Sequence, residues 1–163
     1  MTTQSPDQTR FGRWLTRHFA YTAMDGSFTV VLSGQIAAPI PRRCRSLHRW
    51  QLAAGRLGKL YLHAWEGDDW STDLHDHSAR MLSIGLWGSY AEDTPRGTRI
   101  YRAPWVRTFP AMHRHRIRVR QGPVWTLIWL WPTTQRSAFY VDGRRIGATA
   151  YLRSAWADRH KAC

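Results

Sequence analysis

The sequence predicts an all-β domain of the sandwich or jelly-roll barrel class. Three observations carry this reading. First, roughly eight to ten short runs of β-forming residues follow one another with turn signals between them, and little of the chain reads as helix. Second, residues 124–131, Val-Trp-Thr-Leu-Ile-Trp-Leu-Trp, form the most strongly β-forming run in the chain. Third, residues 113–120 alternate with a period of two. His113, His115, Ile117 and Val119 fall on one strand face, and Arg114, Arg116, Arg118 and Arg120 fall on the other.

At 163 residues the chain fits one domain with a core of its own. Hydrophobic residues make up 43% and ten are Trp, which excludes a disordered chain. The two cysteines, Cys44 and Cys163, make neither a disulfide framework nor a cysteine-type zinc site, which favours a reducing cytoplasm. No run approaches the ~18 apolar residues of a spanning helix, and the N-terminus lacks the pattern of a signal peptide, so the expectation is a soluble protein with no membrane partner. Twenty-four Lys and Arg against eleven Asp and Glu give +13, a balance that suits a polyanion or an acidic substrate. Only two of those cations are lysine, an arginine bias that a GC-rich genome also produces.

In order along the chain, residues 1–26 read as an N-terminal extension, polar at first and then amphipathic enough for a short helix over 14–21. Residues 27–153 read as the barrel and 154–163 as a tail. Asp25-Gly26 turns the chain into a strand at 28–33, and two closely spaced prolines keep 39–45 extended. Residues 57–65 form a strand with Leu60, Leu62 and Ala64 on one face and Tyr61, His63 and Trp65 on the other. An acidic loop at 66–73 delivers the chain to His75 and His77. Residues 81–87 make a strand apolar on both faces, Gly88-Ser89 turns, and a further strand begins at 90–92. Strands follow at 98–102 and 105–109. Residues 121–123, Gln-Gly-Pro, are expected to turn tightly, and Asp142-Gly143 marks a hairpin.

The chemistry concentrates in two His-x-His pairs, His75/His77 and His113/His115. On a strand, residues i and i+2 point to one face about two rises of ~3.3 Å apart, so each pair can aim both rings at one point. A metal ion is the natural occupant, since imidazole suits Zn, Fe, Ni and Cu, and three protein ligands with an open position make a catalytic site. Spacing leaves open whether His113 or His115 is the third ligand; the other would line the pocket as an acid or base. His63 is a candidate to contact substrate, and Glu92 is a candidate fourth ligand or general base. Asp76 points away from the metal face and orients a neighbour. Arg80 and Arg102 could clamp a substrate carboxylate. Trp125 could offer the substrate a flat wall, although the Trp run 125, 129, 131 equally has the pattern of core. The arginine row at 114–120 would suit a phosphate backbone, or else a solvated sheet face.

These residues also carry a resemblance. Leu74-His75-Asp76-His77 and Pro110 followed by His115, together with the all-β count, resemble the cupin superfamily. Residues 61–63, 88–92, 109–117, 123–127 and 138–143 look more narrowly like a group of small bacterial and phage cupins. The resemblance spans about residues 47–152 and implies a double-stranded β-helix, with His75, His77 and His115 as metal ligands. The glutamate usual in the first cupin motif is replaced by Met81 and Leu82, which leaves a three-histidine set similar to that of cupin thiol dioxygenases. The implied function is a mononuclear iron(II) oxygenase acting on a small molecule, with Zn, Ni or Mn as other occupants, and a homodimer. The alternatives are a zinc-dependent hydrolase or isomerase and a non-catalytic module that binds a small ligand or nucleic acid.

Overall fold

The computed structural model describes residues 4–24, 46–69 and 71–152. The strand expected at 28–33, the extended segment at 39–45 and the tail from 154 lie outside the described residues. A 3-10 turn, Pro6–Gln8, leads into α1 (Arg10–His18), whose first turn is capped by Thr9 accepting from Gly12 N–H at 2.9 Å. The helix ends at His18 instead of continuing to residue 21, because Phe19 takes an extended backbone and Ala20–Met24 pairs as β1 with β2 (Leu47–Gly55).

Eight further strands follow: β3 (Gly58–Trp65), β4 (Leu74–His75), β5 (Met81–Thr94), β6 (Gly97–Arg102), β7 (Trp105–Phe109), β8 (Arg116–Leu130), β9 (Ala138–Val141) and β10 (Arg144–Gly147). A short helix, α2 (Ala148–Leu152), follows β10. The larger sheet runs β1-β2-β3-β8-β5-β6, with β7 also paired to β5. The smaller runs β10-β9-β4, and all ladders are antiparallel. The arrangement is a double-stranded β-helix.

The alternation read in β3 holds. Tyr61, His63 and Trp65 face an internal pocket, while Leu62 and Ala64 pack on the opposite face with Leu15, Tyr21 and Trp50. Helix α1 thus covers one outer face of the large sheet and leaves the inner face for the site. The hairpin at Asp142-Gly143 also holds, with Val141 opposite Arg144 and positive φ at both turn residues.

Two expected breaks are absent. Residues 81–94 form one strand and 116–130 another, each running through its turn signal with only register shifts between Gly85 and Tyr90. The two signals lie against each other, so both strands deform together and the ladder survives. Gly88 sits at φ +83°, and a Cβ there would stand 2.6 Å from the Gln121 carbonyl oxygen. The strand expected over 113–120 starts only at Arg116, with His115 in an isolated bridge. His113 follows a turn, its N–H donating to the Pro110 carbonyl at 3.0 Å, and it stays outside the pocket that His115 lines, although the two rings lie 5.0 Å apart.

Candidate metal centre

The two sheets meet at the site. His75 on β4 and His115 just ahead of β8 exchange both backbone hydrogen bonds, at 2.9 and 3.0 Å. His77 N–H donates to the Ala111 carbonyl at 2.9 Å, which fixes the third ring beside them. Each of His75, His77 and His115 brings a ring nitrogen to within 4.8 Å of the other two. The Nε2 atoms of His77 and His115 stand 2.7 Å apart.

Burial pushes His75 down to about 4, against the opposing pull of Asp69, whose Oδ2 lies 3.9 Å from its Nδ1. Burial and the neighbouring imidazoles push His77 well below its ordinary value. Both rings are therefore neutral at pH 7, the form that ligates metals. Two imidazole nitrogens aimed at each other where protonation is disfavoured fit a cation shared between them.

Glu92 sets the tautomer of the third ring. Its Oε1 lies 2.7 Å from His115 Nδ1, so Nδ1 carries the proton and Nε2 faces the other two histidines. Burial favours the protonated acid, but hydrogen bonds from His113, His115 and Arg107 outweigh it and hold Glu92 well below the usual carboxylate range. Oε1 also meets His113 Nε2 at 2.9 Å, and Oε2 accepts from Arg107 Nη1 at 2.7 Å. Glu92, His113 and His115 also satisfy the spacing of a metal cluster, but the Arg107 guanidinium already neutralises that carboxylate. The cation site the geometry supports is His75, His77 and His115.

The trio opens on a pocket of ≈ 490 Å³ whose wall is mainly apolar, with Met81, Phe109, Ile128 and Phe139 among its residues. His63 lies in this wall, and its Nε2 accepts from Arg49 Nε at 3.0 Å. Burial, with the Arg49 charge added, keeps His63 neutral. Asp76 turns away from the rings, as expected: its carboxylate accepts from Ala138 N–H at 2.7 Å and from Tyr140 Oη and Arg145 Nε at 2.9 Å.

The three residues expected to contact substrate are placed elsewhere. Arg80 is exposed and lies over the Trp131 ring, and Arg102 is exposed at the end of β6. Trp125 stacks on Trp50 at 5.7 Å, because its neighbour Thr126 is the one that faces the pocket. The arginine row is also engaged in part. Arg118 forks onto Asp93 at 2.7 and 2.8 Å, and Arg114 lies 4.1 Å from the Tyr140 ring centroid. Sequence reasoning missed Arg49 and Arg107. Each is defined by a partner on another strand, and only the odd-numbered face shared by Trp105, Arg107 and Phe109 hinted at the second.

No model of a known protein family matches the chain, and no curated protein matches it. Among solved structures it is similar to KdgF from a Halomonas species, at 12% identity over 61% of this chain and 87% of that one, with a TM-score of 0.47. It is also similar to a sugar phosphate isomerase from a cupin superfamily, from Silicibacter pomeroyi, at 16% identity over 68% and 76% with a TM-score of 0.49. A third, a protein with a double-stranded β-helix domain from Klebsiella pneumoniae, shows 10% identity over 63% and 88% with a TM-score of 0.48. The fold is a double-stranded β-helix. It is so by this chain's own geometry, two antiparallel sheets joined at the His75–His115 bridge around a pocket. The chemistry of the site is read from its own residues.

Proposed function

We propose that the protein is a mononuclear metal enzyme that oxidises a small molecule with dioxygen at a three-histidine centre. The observation that carries this is the convergence of His75, His77 and His115 nitrogens on the wall of a 490 Å³ pocket. Three protein ligands leave coordination positions free. A divalent ion held there would supply Lewis acidity and, if it is iron(II), a redox centre through which the substrate's electrons reach dioxygen.

The chain's residues do the rest. Glu92 fixes the His115 tautomer and is itself pinned by Arg107. Met81, Phe109, Ile128 and Phe139 give the pocket its apolar lining. Several acid–base groups of the wall are already engaged by protein partners. The His63 Nε2 lone pair is taken by Arg49, Asp69 Oδ2 by the Ile117 N–H at 2.6 Å, and both Asp76 oxygens are occupied.

Elemental analysis of the purified protein beside a His75→Ala/His77→Ala variant tests the centre. About one equivalent of metal is expected in the parent and none in the variant. Anaerobic loading with iron(II) followed by oxygen exposure tests the reaction, against a panel of thiols, amino acids and small carboxylic acids. Substrate-dependent oxygen uptake is expected. Metal binding without uptake across the panel, or turnover with zinc alone, overturns the oxygenase assignment.

A further inference from the structure

Behind the pocket wall, the two oxygens of Glu92 face different partners. Oε1 accepts from His115 Nδ1 at 2.7 Å and meets His113 Nε2 at 2.9 Å, whereas Oε2 accepts from Arg107 Nη1 at 2.7 Å. The Glu92 side chain is 3% exposed and that of Arg107 15%, so the pair sits where solvent screens it little. Among the described residues Arg107 is the one Lys or Arg paired with Glu92. Its guanidinium is held in place in turn: the carbon lies 4.3 Å from the Tyr101 ring centroid and 5.1 Å from that of Phe109, and Nη1 reaches Tyr90 Oη at 3.3 Å. The contact also needs a bent strand. Arg107 stands opposite Ser83 on β5, and in a straight strand the rise of ~3.3 Å per residue would carry Glu92 about 30 Å from Ser83, beyond an arginine's reach. The register shifts between Gly85 and Tyr90 supply the bend.

We infer that Arg107 is a positioning residue of the metal centre, which holds Glu92 against His115 and at the same time draws charge away from it. This rests on the metal-enzyme reading above and concerns how that site is tuned. A buried carboxylate with no cation on its far oxygen would concentrate its charge on Oε1 and pull the Nδ1 proton of His115 toward itself. His115 would then present Nε2 with imidazolate character, a more negative ligand that favours the higher oxidation state of a bound ion. With Arg107 on Oε2, the hydrogen bond from Nδ1 still fixes which nitrogen carries the proton, yet His115 remains a neutral imidazole. Three neutral ligands leave the charge of a divalent ion undiminished beside an apolar pocket, which favours the reduced state. Arg107 is thus the residue that biases iron held there toward iron(II), without touching the ligands itself.

Two readouts test this, one of them without metal. In the metal-free protein the His115 Nδ1 proton is followed by NMR, its resonance assigned by its loss in His115→Ala. Arg107→Met should move that resonance downfield, as a stronger hydrogen bond to an unshared carboxylate requires, whereas loss of mere support would move it upfield or erase it. In the protein loaded with iron(II), the same variant should raise the ferric-to-ferrous ratio at a fixed ambient potential by about tenfold, a reduction potential lower by about 59 mV. Arg107→Lys, which keeps the charge, should stay near the parent in both. Arg107→Gln, which keeps a donor for Oε2 without the charge, should follow Arg107→Met and is the readout if the methionine variant does not fold. A resonance that stays in place, moves upfield or vanishes, a potential that is unchanged or higher, or Arg107→Lys behaving as Arg107→Met overturns the inference. Because the resonance is read without metal, a protein that shows the downfield shift but takes up no metal refutes the enzyme reading alone. One that binds metal without showing the shift refutes this inference alone.

Discussion

The pivotal residue of the centre is Glu92, which touches no other member of the trio than His115 and yet decides which nitrogen His115 presents. Replacing it with Gln keeps the size but lets the amide donate to Nδ1, which would favour the wrong tautomer. Glu92→Gln is therefore expected to weaken metal binding by roughly 10–100-fold, measured by competition with a chelating dye, with secondary structure unchanged by circular dichroism. Unaltered affinity would show that the carboxylate only fills space. His75 and His77 were legible in the sequence because strand spacing brings such a pair together, whereas spacing left His113 and His115 open and only the resemblance pointed to His115. Arg49 was not legible, since its meaning comes from His63 across the ladder. The strand start was misread for a related reason: periodicity shows which residues would share a face in a strand, but not where the ladder begins.

Among the elements, β5 and β8 matter most, since their ladder extends along both strands. Local signals misread both strands as broken at Gly88-Ser89 and Gln121-Pro123, because a turn signal is judged against its sequence neighbours and not against the strand opposite. The hairpin at Asp142-Gly143 was legible, since there the turn residues act alone. Gly88→Val forces a branched side chain into positive φ and against the Gln121 carbonyl, and is expected to destabilise by about 1–3 kcal/mol. Thermal denaturation would show this as a lowered Tm. The same strands are tied by Arg118 and Asp93, whose carboxyl is held below its ordinary value by hydrogen bonding from Arg118. A depressed acid contributes stability above its unfolded pKa of about 3.9, and that contribution is lost as pH falls through the lower folded value. Both groups are partly exposed, so the effect is small. Arg118→Ala should flatten the acid side of the Tm-versus-pH curve, and an unchanged acid slope would count against the pairing.

At the scale of the whole molecule, α1 and the large sheet share one apolar cluster with Trp50 at its centre, fully buried and stacked on Trp125. Trp50→Ala should cost about 3–5 kcal/mol by urea denaturation, while the pocket on the other face retains metal binding in the folded fraction. Among the described residues no helix is long and apolar enough to cross a membrane. A ligand that binds only the folded chain stabilises it by mass action, so stripping metal with a chelator should lower Tm, and readdition should restore it. A Tm indifferent to chelation would mean that the three rings hold no ion. The seam where the sheets meet adds a further consequence. It is closed by main-chain atoms of residues 75 and 115, which any side chain but proline's would leave in place. Shape and reactivity are thus written in separate inks: a descendant of this chain can exchange its imidazoles for other groups and keep the same vessel around a different chemistry.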